Sequence, residues 1–460
     1  MGARIFTLCL ATTFLAAAPA SAFTIRVDWA GSGDYETIQE GLDDASEGDT
    51  VLVLPGTYTG AANRRLDFRG LGIVLLGDTG ASGTTIDCEE AGRAFLFDDG
   101  EGPDAVVEGF TVVNGLTSWG GAIRIDSSSP TFHACVFRDC VSTGNGGAVF
   151  VEDGAPAFDG CDFGDNGAVE GGGAVYLDNS QAAFTECSFT GNSAAYGDAY
   201  PSEGYHGGAV YLERSAATLA GCSFVENWAE RGGAVNCSLP AVPTFDNCAF
   251  IGNSSYRDGG AVRLYGCSPT FSDCRFEGNR PRYGGVVFGR YASPTLAHCT
   301  FWDNRATYVS GGRDVHLEHT DIWDAVIENC TFCGWSLGSQ GGDLLYFEDC
   351  APRVERSVIA FYNHGGAIGC AGVGTPTVTN CAIFDNTGGD TPCGDHYDNL
   401  FEDPLVCGFW DGDLSLCENS PCLPANNPWG VLIGAHDEGC GSCASPVERV
   451  SWGQIKAMYR

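Results

Sequence analysis

Apolar and polar residues alternate in short segments that recur between residues 111 and 386. In one copy the run Gly-Gly-Ala-Val-Tyr-Leu-Asp contains Val175 and Leu177, which are apolar, while the residue between them varies from copy to copy. An apolar residue at every second position indicates a strand with one buried face and one exposed face. A second apolar run follows, in which a cysteine lies between two phenylalanines. Its spacing predicts a bend between two further short strands.

Glycine pairs mark the start of each repeat. They begin at positions 120, 146, 172, 207, 232, 259, 284, 311, 341 and 365. Most intervals are 24 to 27 residues long, with one of 35 and one of 30. A fixed period of this size is typical of a solenoid. Three short strands and three turns per repeat predict one coil of a parallel β-helix, whose strands bond to the coils above and below.

Two further residue types recur once per coil. Asparagines follow the inward phenylalanine by three residues at Asn166, Asn192, Asn227, Asn253, Asn279 and Asn304. Because asparagine bonds to neighbouring backbone in turns, these side chains are predicted to form a hydrogen-bonded ladder. Cysteines occupy another position at Cys135, Cys161, Cys187, Cys222, Cys248, Cys274, Cys299, Cys330 and Cys381. Coils ~4.8 Å apart permit disulfides, whereas buried thiols also pack as small apolar groups, and both interpretations stay open.

The Gly-Gly-Ala-Val and Phe-x-x-Asn motifs resemble those of right-handed parallel β-helix repeat proteins, including the passenger regions of polymorphic outer-membrane adhesins. Residues 163–166, 189–192 and 224–227 match the second motif, whereas residues 137–140 and 332–335 depart from it. The resemblance implies an all-β chain with a single right-handed solenoid. It implies little about activity, because one fold hosts many functions.

The N-terminal segments predict export and a cap. Residues 1–22 combine Arg4, an apolar run and a final Ala-Ser-Ala, which indicates a cleaved secretory signal. A lipoprotein anchored at Cys9 is the alternative. Residues 23–60 contain a helical pattern and a first strand, and resemble the N-terminal caps of pectin-degrading β-helix proteins. A helix here would cover the open end of the apolar core.

The remaining boundaries follow from composition. Residues 61–398 are predicted to form the β-helix coils, and residues 399–443 a disulfide-rich C-terminal cap. Cysteines crowd near this end at Cys393, Cys407, Cys417, Cys422, Cys440 and Cys443. Residues 444–460 form a tail that is either a frayed helix or a sorting segment.

Charge and cysteine content narrow the class of protein. Without Cys9 the chain has 22 cysteines, an even number that suits disulfides in an oxidising compartment. The net charge of -36 argues against nucleic acid or acidic lipid partners. Outside the signal, no apolar run is long enough to span a bilayer. We therefore expect a secreted or cell-surface protein.

The exposed positions of the first strand carry the candidate ligand-binding residues. These are Arg124, Phe150, Tyr176, Tyr211 and Arg263, which should stack along one outer sheet. Aromatic side chains in such a column suit sugar rings. The 35-residue repeat adds a loop nearby, at residues 195–206, and long loops often carry function.

Acidic residues end four successive strands of this sheet, at Asp126, Glu152, Asp178 and Glu213. One interpretation is a row of solvated carboxylates. The other is a Ca²⁺ site, because calcium takes several oxygen ligands at once. No other cofactor is predicted.

Catalysis requires paired carboxylates or a base beside a cation. The only cluster suited to it is Glu213 with Asp178, Glu203 and His206. The paired aspartates and Gly-His-Gly of pectin-hydrolysing β-helix enzymes are not recognisable. A separate run, His316-Leu-Glu-His-Thr-Asp, contains metal-ligating residue types in an irregular coil, where a solvated turn is the alternative.

These features predict an exported β-helix that binds carbohydrate or another cell-surface component without catalysis. A secreted polysaccharide lyase or glycoside hydrolase is the first alternative. A structural spacer in the cell envelope is the second.

Overall fold

The structure is a computed structural model that describes residues 22–194, 206–307, 311–319, 325–334 and 342–443. Within these residues the chain forms a right-handed parallel β-helix whose longest sheet has 15 strands. The predicted solenoid is confirmed. The predicted signal, most of the long loop and the C-terminal tail lie outside the described residues.

Sheet I contains the strands that follow the glycine pairs. Its 12 strands, in spatial order, are Leu66–Asp67, Phe95–Phe97, Ile123–Asp126, Val149–Glu152, Val175–Asp178, Val210–Glu213, Val235–Ser238, Val262–Tyr265, Val287–Arg290, Gly312–Glu318, Asp343–Glu348 and Ile368–Ala371. Neighbouring strands pair in parallel, and each repeat residue faces its counterpart on the next coil. Matching positions in the sequence therefore form columns on the surface.

Sheets II and III contain the two strands on either side of the column cysteine. Sheet II is formed by Thr24–Val27, Thr50–Val53, Val74–Gly77, Val106–Glu108, Thr131–His133, Ala157–Asp159, Ala183–Thr185, Thr218–Ala220, Thr244–Asp246, Thr270–Ser272, Thr295–Ala297, Val326–Glu328, Arg353–Glu355, Thr377–Thr379 and Asp395–Tyr397. Sheet III is formed by Gly56–Tyr58, Thr84–Asp87, Thr111–Val113, Val136–Arg138, Asp162–Gly164, Ser188–Thr190, Ser223–Val225, Ala249–Ile251, Arg275–Glu277, Thr300–Trp302, Thr331–Cys333, Val358–Ala360 and Ala382–Phe384. Both sheets follow the predicted alternation.

A fourth sheet was not predicted. Sheet IV has seven strands, Leu116–Trp119, Val141–Asn145, Gly167–Ala168, Ser193–Ala194, Trp228–Ala229, Ser254–Ser255 and Arg280–Pro281. Most are only two residues long, too short for an apolar alternation to be visible in the sequence. The glycine pair then lets sheet IV turn tightly into sheet I, because a Cβ at Gly173 would lie 2.0 Å from the carbonyl oxygen of Gly208.

Stacked phenylalanines fill the interior. Phe163, Phe189 and Phe224 lie on successive coils with ring centroids 4.8 Å apart and nearly parallel planes. A second phenylalanine column meets this one edge to face, as Phe184 does with Phe189 at 5.8 Å. Such aromatic pairs stabilise beyond the area that they bury. The core is therefore continuous along the axis.

The asparagine ladder is present as predicted. Asn227 accepts hydrogen bonds from the backbone and side-chain nitrogens of Asn192, at 2.9 and 3.0 Å. Its own side-chain nitrogen donates to the carbonyl of Phe189 and to Asn253. These buried amides satisfy the backbone of each turn.

For the nine column cysteines, the structure agrees with buried thiols and not with disulfides. All nine cysteines of the column are free and buried. Each thiol typically donates to backbone carbonyls, as Cys187 does to Phe158 at 3.4 Å. Disulfides occur near the C-terminus, as Cys370–Cys393, Cys407–Cys440 and Cys417–Cys443.

The N-terminal segment covers the first coils, whereas the C-terminal segment packs against the outer side of sheet III. The N-terminal helix, Ile38–Asp44, buries Ile38 and Leu42 against the first coils. A strand at Thr24–Val27 precedes it, so Thr50–Val53 is the second strand rather than the first. The C-terminal cap has a small sheet of Val406–Gly408, Asp413–Cys417 and Glu438–Cys440. Short 3₁₀ turns lie at Ala61–Asn63 and Phe409–Asp411.

Among the described residues, no helix is both long and apolar enough to cross a membrane.

Candidate ligand-binding groove

The predicted ligand-binding residues form one column on the outer face of sheet I. Arg124 pairs with Phe150, Phe150 with Tyr176, and Tyr176 with Tyr211 on successive coils. Asn236 follows Tyr211, and Arg263 follows Asn236. Side chains on such rigid strands are held in place by the backbone register.

The aromatic part of this column is a closed stack. Trp119, Phe150, Tyr176 and Tyr211 lie in order, with centroids 5.3, 5.5 and 4.8 Å apart. Phe150 is only 5% exposed and Tyr176 only 8%. Their ring faces contact one another, so a sugar cannot insert between them. The surfaces open to a ligand are the exposed Trp119 at one end and the half-buried Tyr211 at the other.

Two arginines each contact two of the four acidic strand ends. Arg124 lies 3.5 Å from Asp126 and 3.6 Å from Glu152. Arg214 similarly contacts Asp178 and Glu213, at 2.5 and 2.6 Å. Elsewhere among the described residues, three clusters each bring the ligand atoms of three side chains within 4.8 Å of one another. The four carboxylates at the strand ends do not form such a cluster. Their role in calcium binding stays a prediction.

The candidate catalytic residues separate into two places. Asp178 and Glu213 face each other on adjacent coils and share Arg214. The Tyr176 hydroxyl donates to Glu213. His206 instead lies before the strand, with its ring 6.1 Å from Tyr211. Glu203 lies outside the described residues.

Sequence reasoning missed one wall of the groove. The residues directly before the glycine pairs form a second column beside the sheet: Trp119, Asn145, Gly171, His206, Arg231, Asp258 and Tyr283. We call this column the wall. Its backbone is in register, since the amide of Gly207 donates to the carbonyl of Arg231 at 3.0 Å. The regular position before each glycine pair was the available sequence signal, but its residue types vary too much to show a pattern.

The wall and the sheet enclose a pocket of about 550 Å³ near the C-terminal half of the groove. We call it the C-terminal pocket. Asp258 lies between two arginines, 3.3 Å from Arg231 and 3.4 Å from Arg263. Arg257 and Arg290 also line it. Four guanidinium groups therefore meet in this pocket.

Two buried polar atoms beside this pocket make no hydrogen bond among the described residues, Nδ1 of His206 and Nδ2 of Asn236. Nε of Arg231 also makes no hydrogen bond, but it lies in the ion pair with Asp258. Burial, together with the nearby Arg263 and Arg231, lowers the pKa of His206 to about 3. The imidazole is therefore neutral at ordinary pH. Unpaired buried groups of this kind are uncommon in folded proteins.

A second arginine-rich pocket, of about 560 Å³, lies on the same face toward the N-terminus. We call it the N-terminal pocket. Arg64, Arg65, Arg93 and Arg124 line it. Burial, together with the charges of Arg124 and Arg65, lowers the pKa of Arg93 to about 10. Among the described residues, Nη1 of Arg93 has no hydrogen-bond partner.

Comparison with known proteins identifies the architecture. The sequence matches the family model described as right handed beta helix region over residues 71–238 and 170–322. No curated protein matches the sequence significantly. The two family matches together span more than half of the chain.

Several solved structures are distantly similar. A pectin methylesterase from carrot is 12% identical, with a TM-score of 0.29, over 62% of this chain and 85% of that chain. A mannuronic acid specific polysaccharide family 6 lyase from human gut microbiota is 12% identical, with a TM-score of 0.31, over 71% and 78%. The catalytic domain of a GH87 alpha-1,3-glucanase in complex with nigerose is 12% identical, with a TM-score of 0.34, over 83% and 66%.

Proposed function

Because this chain belongs to the right-handed β-helix family, we propose that its ligand lies along the outer face of sheet I and is an extended acidic carbohydrate, bound without catalysis. The concentration of arginines in the two pockets is the main support for this proposal. The two pockets hold four arginines each, and so account for eight of the 23 basic residues in a chain of net charge -36. Each lining also holds two carboxylates, Asp98 and Asp126 in one pocket and Asp258 and Glu318 in the other, so each pocket keeps a net charge of about +2. Two cationic pockets on an acidic protein favour an anionic ligand.

The distance between the pockets favours an extended ligand. Arg124 and Arg263 are five coils apart along the column, which is roughly 24 Å at the spacing of parallel strands. A small anion would fill one pocket only. A chain of acidic sugars would reach both, and its carboxylates or sulfates would take paired hydrogen bonds from the guanidinium groups.

The middle of the groove supplies the contacts that suit hydroxyl groups. Nδ2 of Asn236 is a hydrogen-bond donor, and Nδ1 of His206 donates or accepts according to its tautomer. Both atoms are unpaired among the described residues. Tyr211 adds an aromatic edge beside them. Sugar hydroxyls both donate and accept, so they would satisfy these groups.

A glycan array tests the proposal. Wild-type protein should bind acidic polysaccharides, and the double variant Arg231→Gln, Arg263→Gln should lose at least tenfold in affinity, as expected for losing two charge-assisted contacts. Arg275→Gln is the matched control, because Arg275 is an exposed arginine on sheet III, away from the groove. Equal binding by all three proteins would refute the groove. Binding of no glycan by the wild type would favour a spacer.

One observation favours catalysis as a second candidate. Burial raises the pKa of Asp178, while its neighbour Glu213 accepts from Tyr176 and Arg214. Two carboxyl groups in proximity, one of them with a raised pKa, are the residue types that a glycoside hydrolase uses. Release of reducing or unsaturated ends from a bound glycan, abolished in Asp178→Asn and in Glu213→Gln, would replace binding by catalysis.

We place the protein outside the cytoplasm, on the cell surface or secreted. Its three disulfides are of a kind that persists in oxidising compartments. Mass spectrometry of the exported protein would check this through the predicted new N-terminus at Phe23.

A further inference from the structure

Three metal-ligating side chains meet at the far end of the C-terminal pocket. His316 and Glu318 lie two residues apart on the strand Gly312–Glu318, so they share its outer face. Glu348 lies on the next coil, directly opposite Glu318. One ligand atom from each of the three lies within 4.8 Å of the other two.

His316 is the unusual member of this group. It is 3% exposed, and among the described residues neither of its ring nitrogens has a hydrogen-bond partner. Its Nε2 lies 3.3 Å from Oε1 of Glu318, but the two groups are not aligned for a hydrogen bond. A buried imidazole without a partner is costly, and the described residues leave this ring available to a ligand.

The geometry points to a divalent transition metal, of which Zn²⁺ is the type, bound by His316, Glu318 and Glu348. Two ligands of a tetrahedral zinc ion, each about 2.1 Å from the metal, lie ~3.4 Å apart. The separation of 3.3 Å between Nε2 and Oε1 agrees with that value. Calcium fits less well, because it takes oxygen ligands and one of the three ligands here is a nitrogen.

The surroundings hold the three ligands in place. Arg290 donates to Oε2 of Glu318 through two nitrogens, which leaves Oε1 directed toward His316. Phe288 and Tyr346 pack edge-on against the imidazole from the coils on either side, at 5.2 and 5.1 Å. Neighbours that orient ligands in this way strengthen metal sites. Three protein ligands leave a fourth position open to the pocket for water or another ligand.

The site also tolerates the charge of a metal ion. Glu318 and Glu348 provide two negative charges, and Arg290 offsets one of them. A divalent cation then brings the cluster to a net charge of about +1, within a strongly acidic protein. The proposal does not depend on carbohydrate binding, since its ligands and its test are separate.

Isothermal titration with Zn²⁺ after chelator treatment tests the site. The wild type should bind one equivalent that His316→Ala weakens by roughly 100-fold or more. Glu348→Gln, a change at a half-buried surface position, should weaken it as well and guards against misfolding of the first variant. His133→Gln is the matched control. His133 also faces a carboxylate on the next coil, Asp159 at 3.2 Å, but forms no three-ligand group among the described residues.

Cobalt separates this site from the buried cysteines. Co²⁺ at His316 should give d–d absorption without the sulfur charge-transfer bands of thiolate ligands, and His316→Ala should lose it. Wild-type protein that binds no equivalent of zinc, or whose zinc is retained by both His316→Ala and Glu348→Gln, would overturn the proposal. So would a cobalt spectrum dominated by sulfur bands.

Discussion

At the scale of single residues, the positions of charged and polar side chains define the groove. Charged residues of the groove pair locally, as Arg124 does with Asp126 and Glu152. His206 of the wall and Asn236 of sheet I differ, because each keeps a buried polar atom without a hydrogen bond among the described residues. A buried polar atom without a hydrogen bond lowers the stability of the folded protein. Such losses are typical of positions shaped by ligand binding rather than by folding.

The loss of stability caused by burying His206 can be measured through its dependence on pH. Its pKa is about 3 in the folded protein because of burial and the nearby Arg263 and Arg231, and ~6.5 in an unfolded chain. The unfolded chain therefore binds the proton more tightly. Stability is full above pH ~6.5 and falls as the pH drops from there toward about 3.

We expect His206→Gln to remove part of this acid sensitivity. Urea unfolding at pH 7 and pH 4 should show a smaller difference in unfolding free energy for the variant than for the wild type, by ~2–3 kcal/mol. His396→Gln, at an exposed histidine, is the control and should behave as the wild type. An identical pH dependence in His206→Gln and wild type would contradict the assigned environment.

Single residues also show where sequence reasoning stops. The alternation of apolar and polar positions places Tyr176 on the outer face of the sheet, as the structure has it. It does not show that Phe150 and Tyr211 cover both faces of the Tyr176 ring. Burial by a neighbour on the same surface depends on coil spacing and side-chain rotamer, which no periodicity records.

At the scale of elements, columns of identical residues stabilise the turns. Each buried asparagine of the ladder serves two coils at once, as Asn227 does through Asn192 and Asn253. Both the ladder and its spacing were predictable, because Asn follows Phe at a constant distance. The termination of the ladder was not. Asn304 donates instead to Asp314, which is buried beside Arg313 in an irregular strand.

Removing one rung should destabilise the solenoid strongly. Asn227→Ala deletes hydrogen bonds to Asn192, Asn253 and the Phe189 carbonyl, and leaves buried groups unpaired. We expect a loss of ~3 kcal/mol in unfolding free energy, measured by urea denaturation. Asp246→Ala, at an exposed strand position, should change stability by less than about 0.5 kcal/mol. Equal losses in both variants would show that the ladder is not a stabilising element.

The buried cysteines behave as apolar groups. Sixteen described cysteines are buried and form no disulfide. Burial raises the pKa of Cys381, which belongs to the column, and of Cys88 and Cys422, which lie outside it, to about 12. At pH 8 these groups therefore remain protonated, and a protonated thiol is a poor nucleophile.

Thiol labelling checks this directly. Without reductant, the folded protein lacking residues 1–22 should react slowly with a maleimide, whereas the protein in denaturant should react at 16 sites. Intact mass would give the count. A count reduced by an even number in denaturant would show that some of these sixteen cysteines are joined as disulfides instead.

At the scale of the whole molecule, residues at the same position of successive coils form columns on the surface, and these columns run along the solenoid axis. The sequence repeat predicted the fold because each coil has the same arrangement of short strands and turns. It did not predict the groove, since the wall is built from turn residues such as Arg231 and Asp258, whose identity changes from coil to coil. The two arginine-rich pockets likewise join residues that are far apart in sequence and share only a face.

The most direct test of this groove is an arginine footprint with a bound acidic glycan. A dicarbonyl reagent followed by mass spectrometry reports how fast each arginine reacts. The glycan should protect Arg124 and Arg290, one in each pocket, and leave the exposed Arg138 and Arg275 of sheet III unchanged. Protection of the sheet III arginines, with none in either pocket, would contradict the account.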